Sequence, residues 1–219
     1  MTRFRKRKKD MTRLMGLKRK CPKGSLAGKK GIMAEGKAVT AGNVKTTSRW
    51  TTKQICFMAL FMGINIAFSS VGIPVPGGHV YLCDAVICTA ALLLDPVSAM
   101  IVGGVGAFLG DAIFYPAPMW VSLVTHGLQA FAVSYIARNT LKKHPVAAAS
   151  LGVFVGGIIM NVGYFLGKTF IYGTLAAAII KIPFEILQAV IGMVVSVLLV
   201  YRFGLKKIFD RFNFTGIRY

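Results

Sequence analysis

A chain of 219 residues that is 55% hydrophobic, with 27 Lys and Arg against 7 Asp and Glu, carries a formal net charge of +20. Its mean hydropathy is +0.62, which excludes a soluble globular domain of ordinary composition. Of the basic residues, 17 lie in residues 1–53 and 10 from Arg138 onward, so Gln54 to Ala137 has none. A gap of that length holds several membrane spans of about 20 residues each, and the chain reads as an all-α, polytopic membrane protein.

Residues 1–52 form a Lys/Arg-rich tail with few large apolar side chains. Such a segment buries too little surface to offset its ordering entropy, so it is expected to be disordered or loosely helical. It lacks the continuous apolar core and cleavage site of a secretory signal peptide. Positive charge flanking a membrane accounts for it without nucleic-acid binding, and anionic lipid would hold it in the cytoplasm. The four cysteines, at 21, 56, 83 and 88, show neither CxxC nor metal-ligand spacing, so no metal site or disulfide framework is expected.

Residues 53–205 read as a six-helix transmembrane domain, and residues 206–219 as a cytoplasmic end. The apolar segments run from Gln54 to Val71, Val80 to Leu94, Val97 to Phe114, Trp120 to Ala137, Val146 to Ile171 and Leu175 to Tyr201. Asp95-Pro96, the YPAP stretch at 115–118 and Tyr172-Gly173-Thr174 break them apart. The first break, IPVPGGHVYLCD from Ile73 to Asp84, organises the rest. Its prolines and glycines exclude a helix, and its final acid opens the next apolar run. It suits a loop over a pocket mouth; the alternative is a tight turn whose Asp84 caps a helix.

With six spans, every Lys/Arg-bearing segment outside the membrane falls on one side, placing both termini in the cytoplasm. The other side receives Pro74 to Gly78, the YPAP loop and the YGT loop. Tyr81, Tyr115, Trp120 and Tyr172 would then join an outer aromatic belt.

Polar groups inside a span are costly and by default mark a pocket or a pathway. Here they are Asp84, Asp111, His126, Gln129, Asn161, Lys168, Lys181, Glu185 and Gln188. A helical rise of about 1.5 Å per residue puts all of them in the outer half of the bundle. Lys181, Glu185 and Gln188 share a helix face, as do Asn161, Tyr164 and Lys168, and His126 and Gln129. Pro183 frees backbone groups that could line a cavity. The set would suit a small, polar, ring-containing solute. The alternative is interhelical ion pairs among Lys168, Lys181 and Glu185, with Asn161 and Gln188 as hydrogen-bonding glue.

Small-residue rows stand at Ala59, Gly63 and Ala67 on the first helix, and at Gly152/Gly156 and Gly163/Gly167 on the fifth. Such rows let helices approach closely. No phosphate loop, HExxH or GxSxG occurs, and Ser122 and His126 at i, i+4 lack evident oxyanion partners. The chain reads as a non-enzyme with no cofactor.

IPVPGGHVYLCDA after the first helix, GGVGAFLGDAIFYP, THGLQA and KIPFEILQAVIG together resemble the substrate-binding S components of energy-coupling factor (ECF) vitamin transporters. The likeness is to the riboflavin-transporter-related group and covers about Lys53 to Lys207. It implies a subunit that binds a water-soluble vitamin or precursor and works with a transmembrane T subunit and two ATPase subunits. Ala59, Gly63 and Ala67 stand where the family's T-docking stripe would be, and Pro74 to His79 where its outer gate would be, with His79 in the lid. The family's pocket lies between the outer halves of helices one, four, five and six. The candidate solute contacts, taken from the polar set and its spacing, are His126, Gln129, Asn161, Tyr164, Lys168, Lys181, Glu185 and Gln188, with His79 in the lid and Asp84 and Asp111 as contacts or loop anchors. Where the family often has a lysine and an acid, this chain has His126 and Gln129, so the resemblance does not name the solute. An ion-coupled secondary transporter using Asp84, Asp111 or Glu185 is the rival reading.

Overall fold

The computed structural model describes residues 50–211. Most of the basic tail, Cys21 and residues 212–219 lie outside the described residues. Six principal helices run α1 Thr52–Ser69, α2 Cys83–Leu93, α3 Pro96–Phe114, α4 Met119–Asn139, α5 Pro145–Gly167 and α6 Leu175–Val197. A short α7 follows at Leu205–Arg211. α5 and α6 each end in a π-helical turn, Lys168–Tyr172 and Leu198–Arg202.

The helices start where their caps allow. The Thr51 side chain accepts from Gln54 N at 3.3 Å, and that of Thr174 from Ala177 N at 3.3 Å. Asp95 accepts from Ser98 N at 3.2 Å, with Pro96 in the first turn. Each satisfies an otherwise orphaned N–H. At the opposite end of α4, Arg138 donates to the terminal carbonyls of α2, Leu93 O at 3.0 Å and Leu94 O at 2.6 Å.

Among the described residues, four helices are long and apolar enough to cross a membrane: Thr52–Ser69, Pro96–Phe114, Pro145–Tyr172 and Leu175–Arg202. α2 is apolar but has only 11 residues. α4 has 21 residues but carries His126, Gln129 and Arg138. The described residues therefore form a helical membrane domain, interrupted among them by one strand pair. The break at residue 72 folds as an antiparallel hairpin, β1 Gly72–Val75 and β2 Gly78–Tyr81. The helix expected from Val80 thus begins at Cys83, because Val80 and Tyr81 pair with Ile73 and Gly72 instead. The turn is Pro76-Gly77 with Gly77 at φ +84°, a pairing that type II geometry favours. A Cβ on Gly77 would stand 2.9 Å from Ala177 O, so the hairpin tip sits directly on α6.

The apolar core fills the end of the bundle away from the hairpin, around Ile87, Leu92, Leu94, Val102, Val133, Val153 and Val200. The glycine row on α5 is spent on close packing: Cβ atoms at Gly156, Gly163 and Gly167 would meet Val133, Thr125 and Val121 of α4 at 2.5–2.7 Å. The α1 row behaves otherwise. Ala59, Gly63 and Ala67 are all exposed, and a Cβ on Gly63 would meet nothing within 4 Å.

Candidate functional site

At the hairpin end, the start of α2, the end of α3, the start of α4, the end of α5 and the start of α6 enclose a polar cavity. Its free volume is about 30 Å³, room for water but far below the few hundred Å³ of a typical small-molecule site. The hairpin roofs it. Lys168 Nζ donates to Gly77 O, and the Tyr81 N–H donates to Gln188 Oε1 at 3.0 Å. His79 lies edge-on to Tyr115, ring centroids 5.7 Å apart.

Buried polar groups need partners, and these form a continuous chain through five helices. Gln188 Nε2 donates to Asp84 Oδ2. Asp84 Oδ1 accepts from Gln129 Nε2 at 3.2 Å. Gln129 Oε1 lies 2.7 Å from His126 Nδ1, and His126 Nε2 lies 3.0 Å from Tyr164 Oη. Tyr164 Oη is 2.5 Å from Ser122 Oγ, which meets Asp111 Oδ2. A separate pair, Lys181 Nζ and Glu185 Oε1, closes within α6 at 3.2 Å. The Lys181 ammonium also stands 5.6 Å over the Tyr164 ring.

The ECF-type riboflavin transporter S-component model matches residues 49–206, which takes in all six principal helices and the hairpin. The chain belongs to that family. An uncharacterized protein from the gap 3′ region of Pyrococcus woesei is 31% identical over 135 residues, 61% of this chain and 88% of the relative. A UPF0397 protein of Exiguobacterium is 28% identical over 93 residues, 41% of this chain and 51% of the relative.

In this S component the cavity wall gathers His79, Asp111, His126, Tyr164, Lys168, Lys181, Glu185 and Gln188. Asp84 and Gln129 do not line it. They lie one layer behind, 1% exposed each, and hold His126 and Gln188. Asn161 is the misplacement. It faces an apolar groove between α5 and α6 with Phe154, Ile158 and Ile186. Its amide nitrogen turns back to Gly157 O at 2.8 Å. The buried face of α5 centres on Met160, Tyr164 and Gly167, and at 3.6 residues per turn Asn161 stands about 60° round from Tyr164.

Three other readings change. Of Lys168, Lys181 and Glu185, only Lys181 and Glu185 pair, on one helix, and among the described residues Lys168 has no carboxylate in ion-pair range; the interhelical contact is His126 Nδ1 to Asp84 Oδ1 at 3.7 Å. Pro183 is exposed and is not among the residues lining the polar cavity. Tyr81, Tyr115 and Tyr172, read as an outer belt, line the cavity, while Trp120 is 61% exposed. Burial first, and then Asp111, pushes the Tyr81 hydroxyl up to about 12, so it stays a neutral donor. The cavity also uses Ser69, Cys83, Ala107 and Met160, and draws on α2 and α3 as well as α1 and α4 to α6. Ser122 contacts His126 only through Tyr164, so the two form no direct nucleophile–base pair.

Proposed function

We infer that the S component is the solute-capturing subunit of an ECF-type importer for a water-soluble vitamin or vitamin precursor. It spans the cell membrane six times, with both termini in the cytoplasm and the hairpin outside. A T subunit docks on the Ala59, Gly63 and Ala67 stripe, and two ATPase subunits hydrolyse the ATP. The observation that carries this reading is the polar cavity roofed by the hairpin, at the end remote from the Arg138 loop.

Tyr81, Tyr115, Tyr164 and Tyr172 supply flat faces and hydroxyls for a ring-containing solute. Lys168, Lys181, Glu185 and Gln188 supply directional hydrogen bonds. With only about 30 Å³ free, the solute gains access when the hairpin lifts from Lys168 and Gln188. The narrow volume and the two latches support a gate that opens and recloses.

Native mass spectrometry with small-molecule extraction, on protein purified in detergent from its own host, tests the reading. A stoichiometric vitamin-like molecule is expected. A ligand-free protein that binds no vitamin by calorimetry, with uptake abolished by collapsing the proton gradient, would instead establish an ion-coupled transporter.

A further inference from the structure

His126 stands at the junction of two hydrogen-bond chains whose directions follow from what each atom can donate. The first starts at the hairpin. The Tyr81 backbone N–H can only donate, and its acceptor is Gln188 Oε1. The Gln188 nitrogen therefore turns to Asp84 Oδ2. Asp84, accepting also from Gln129 Nε2, leaves Gln129 Oε1 as acceptor for His126 Nδ1. So Nδ1 carries a hydrogen whatever the charge on the ring.

The second chain runs from His126 Nε2 through Tyr164 and Ser122 to Asp111. Each hydroxyl owns one hydrogen, so with one proton shared between His126 Nε2 and Asp111 the three links close in only two ways. In one, imidazolium Nε2–H donates to Tyr164, Tyr164 to Ser122, and Ser122 to the Asp111 carboxylate. In the other, Asp111 is a carboxylic acid donating to Ser122, Ser122 donates to Tyr164, and Tyr164 donates to neutral imidazole Nε2. Both arrangements hold the same number of protons.

We propose that His126 and Asp111 share one proton through Tyr164 and Ser122. Passage between the forms moves three hydrogens by one link each: Nε2 to Tyr164 Oη, Tyr164 Oη to Ser122 Oγ, and Ser122 Oγ to Asp111 Oδ2. An ion pair becomes a neutral pair, and no proton comes from or goes to solvent. All four residues are at most 9% exposed, and Asp111, His126 and Tyr164 meet the cavity only on one side, so the hydrogens pass along the links rather than through open solvent.

Charged groups face the wire from three helices. Asp84 Oδ1 lies 3.7 Å from His126 Nδ1, and the two Asp84 oxygens accept from two amide donors; Glu185 is paired with Lys181, whose ammonium stands 5.6 Å over the Tyr164 ring; and Lys168 is bound to the hairpin carbonyl. From the hairpin, His79 faces Tyr115 and Tyr81 rather than the wire. Tyr164 and Ser122 are thus positioning residues, and the cavity keeps one total charge while its internal pattern adapts to what it holds.

The test is NMR of the full chain in detergent with ¹⁵N-labelled histidines, His126 being assigned by its loss in His126→Gln. Between about pH 5 and 8, Nδ1 should resonate as protonated throughout. Nε2 should lie between its protonated and unprotonated limits and not move with pH. Ser122→Ala and Tyr164→Phe should each send Nε2 to one limit or make it follow bulk pH. A native-chain Nε2 that sits at one limit, or that titrates with solvent, overturns the proposal without recourse to any variant. No solute is needed, so failure here leaves the transport reading untouched.

Discussion

The two ends of this bundle are held together by different physics. At the Arg138 end, the core around Ile87, Leu94, Val102 and Val133 is aliphatic, and its packing depends on volume. At the hairpin end, a hydrogen-bonded chain from Tyr81 to Asp111 does the work, and there each atom has a set role. The difference predicts opposite tolerance of substitutions that conserve volume. Ile87→Leu should cost less than about 1.5 kcal/mol. Asp84→Leu removes the acceptor shared by Gln129 and Gln188 and strands two buried donors, a loss of about 3 kcal/mol. Thermal unfolding in one detergent compares the two; equal losses would mean that the polar chain is not structural.

The two glycine-bearing helix faces sharpen the same contrast. Gly163→Leu drives a side chain into Thr125, which already lies 2.7 Å from the Cβ position. It should destabilise the fold by about 1–3 kcal/mol. Gly63→Leu faces open space and should leave melting and solute binding unchanged while abolishing co-purification with a T subunit. Loss of folding in Gly63→Leu would remove the docking assignment.

Within the cavity the expected effect is smaller. Glu185→Ala removes a charged lining group and frees Lys181. It should weaken binding of the co-purified solute about tenfold, near the lower end for a hydrogen bond to a charged group. Calorimetry reads it directly, and unchanged affinity would reduce Glu185 to a partner for Lys181.

The helices were legible because apolar runs and Pro/Gly breaks are local signals. α1 and α3 begin within two residues of where the runs do. The hairpin was not legible as a strand pair, since Val80 and Tyr81 read as the start of the next apolar run. The polar set was visible as a group, but its wiring joins residues as far apart as Tyr81 and Gln188, and spacing along one helix carries no such information. Tyr115 and Tyr172 read as belt residues for a related reason. At a helix end an amphipathic ring can turn to lipid or to a cavity, and only neighbouring helices decide which.

Asn161 tests that last distinction most finely. It shares α5 with Tyr164 and differs from it by a rotation of about 60°, which turns it to the apolar groove and ties its nitrogen to Gly157 O. Asn161→Ala should therefore leave solute affinity within about twofold of the native value, far less than the loss in Glu185→Ala, because no partner across the cavity is lost. The groove beside it would become more apolar without gaining a clash. A tenfold loss of affinity would mean that α5 rotates when the solute binds, carrying Asn161 into the cavity, and the geometry of the wall would then have to be redrawn from the bound state.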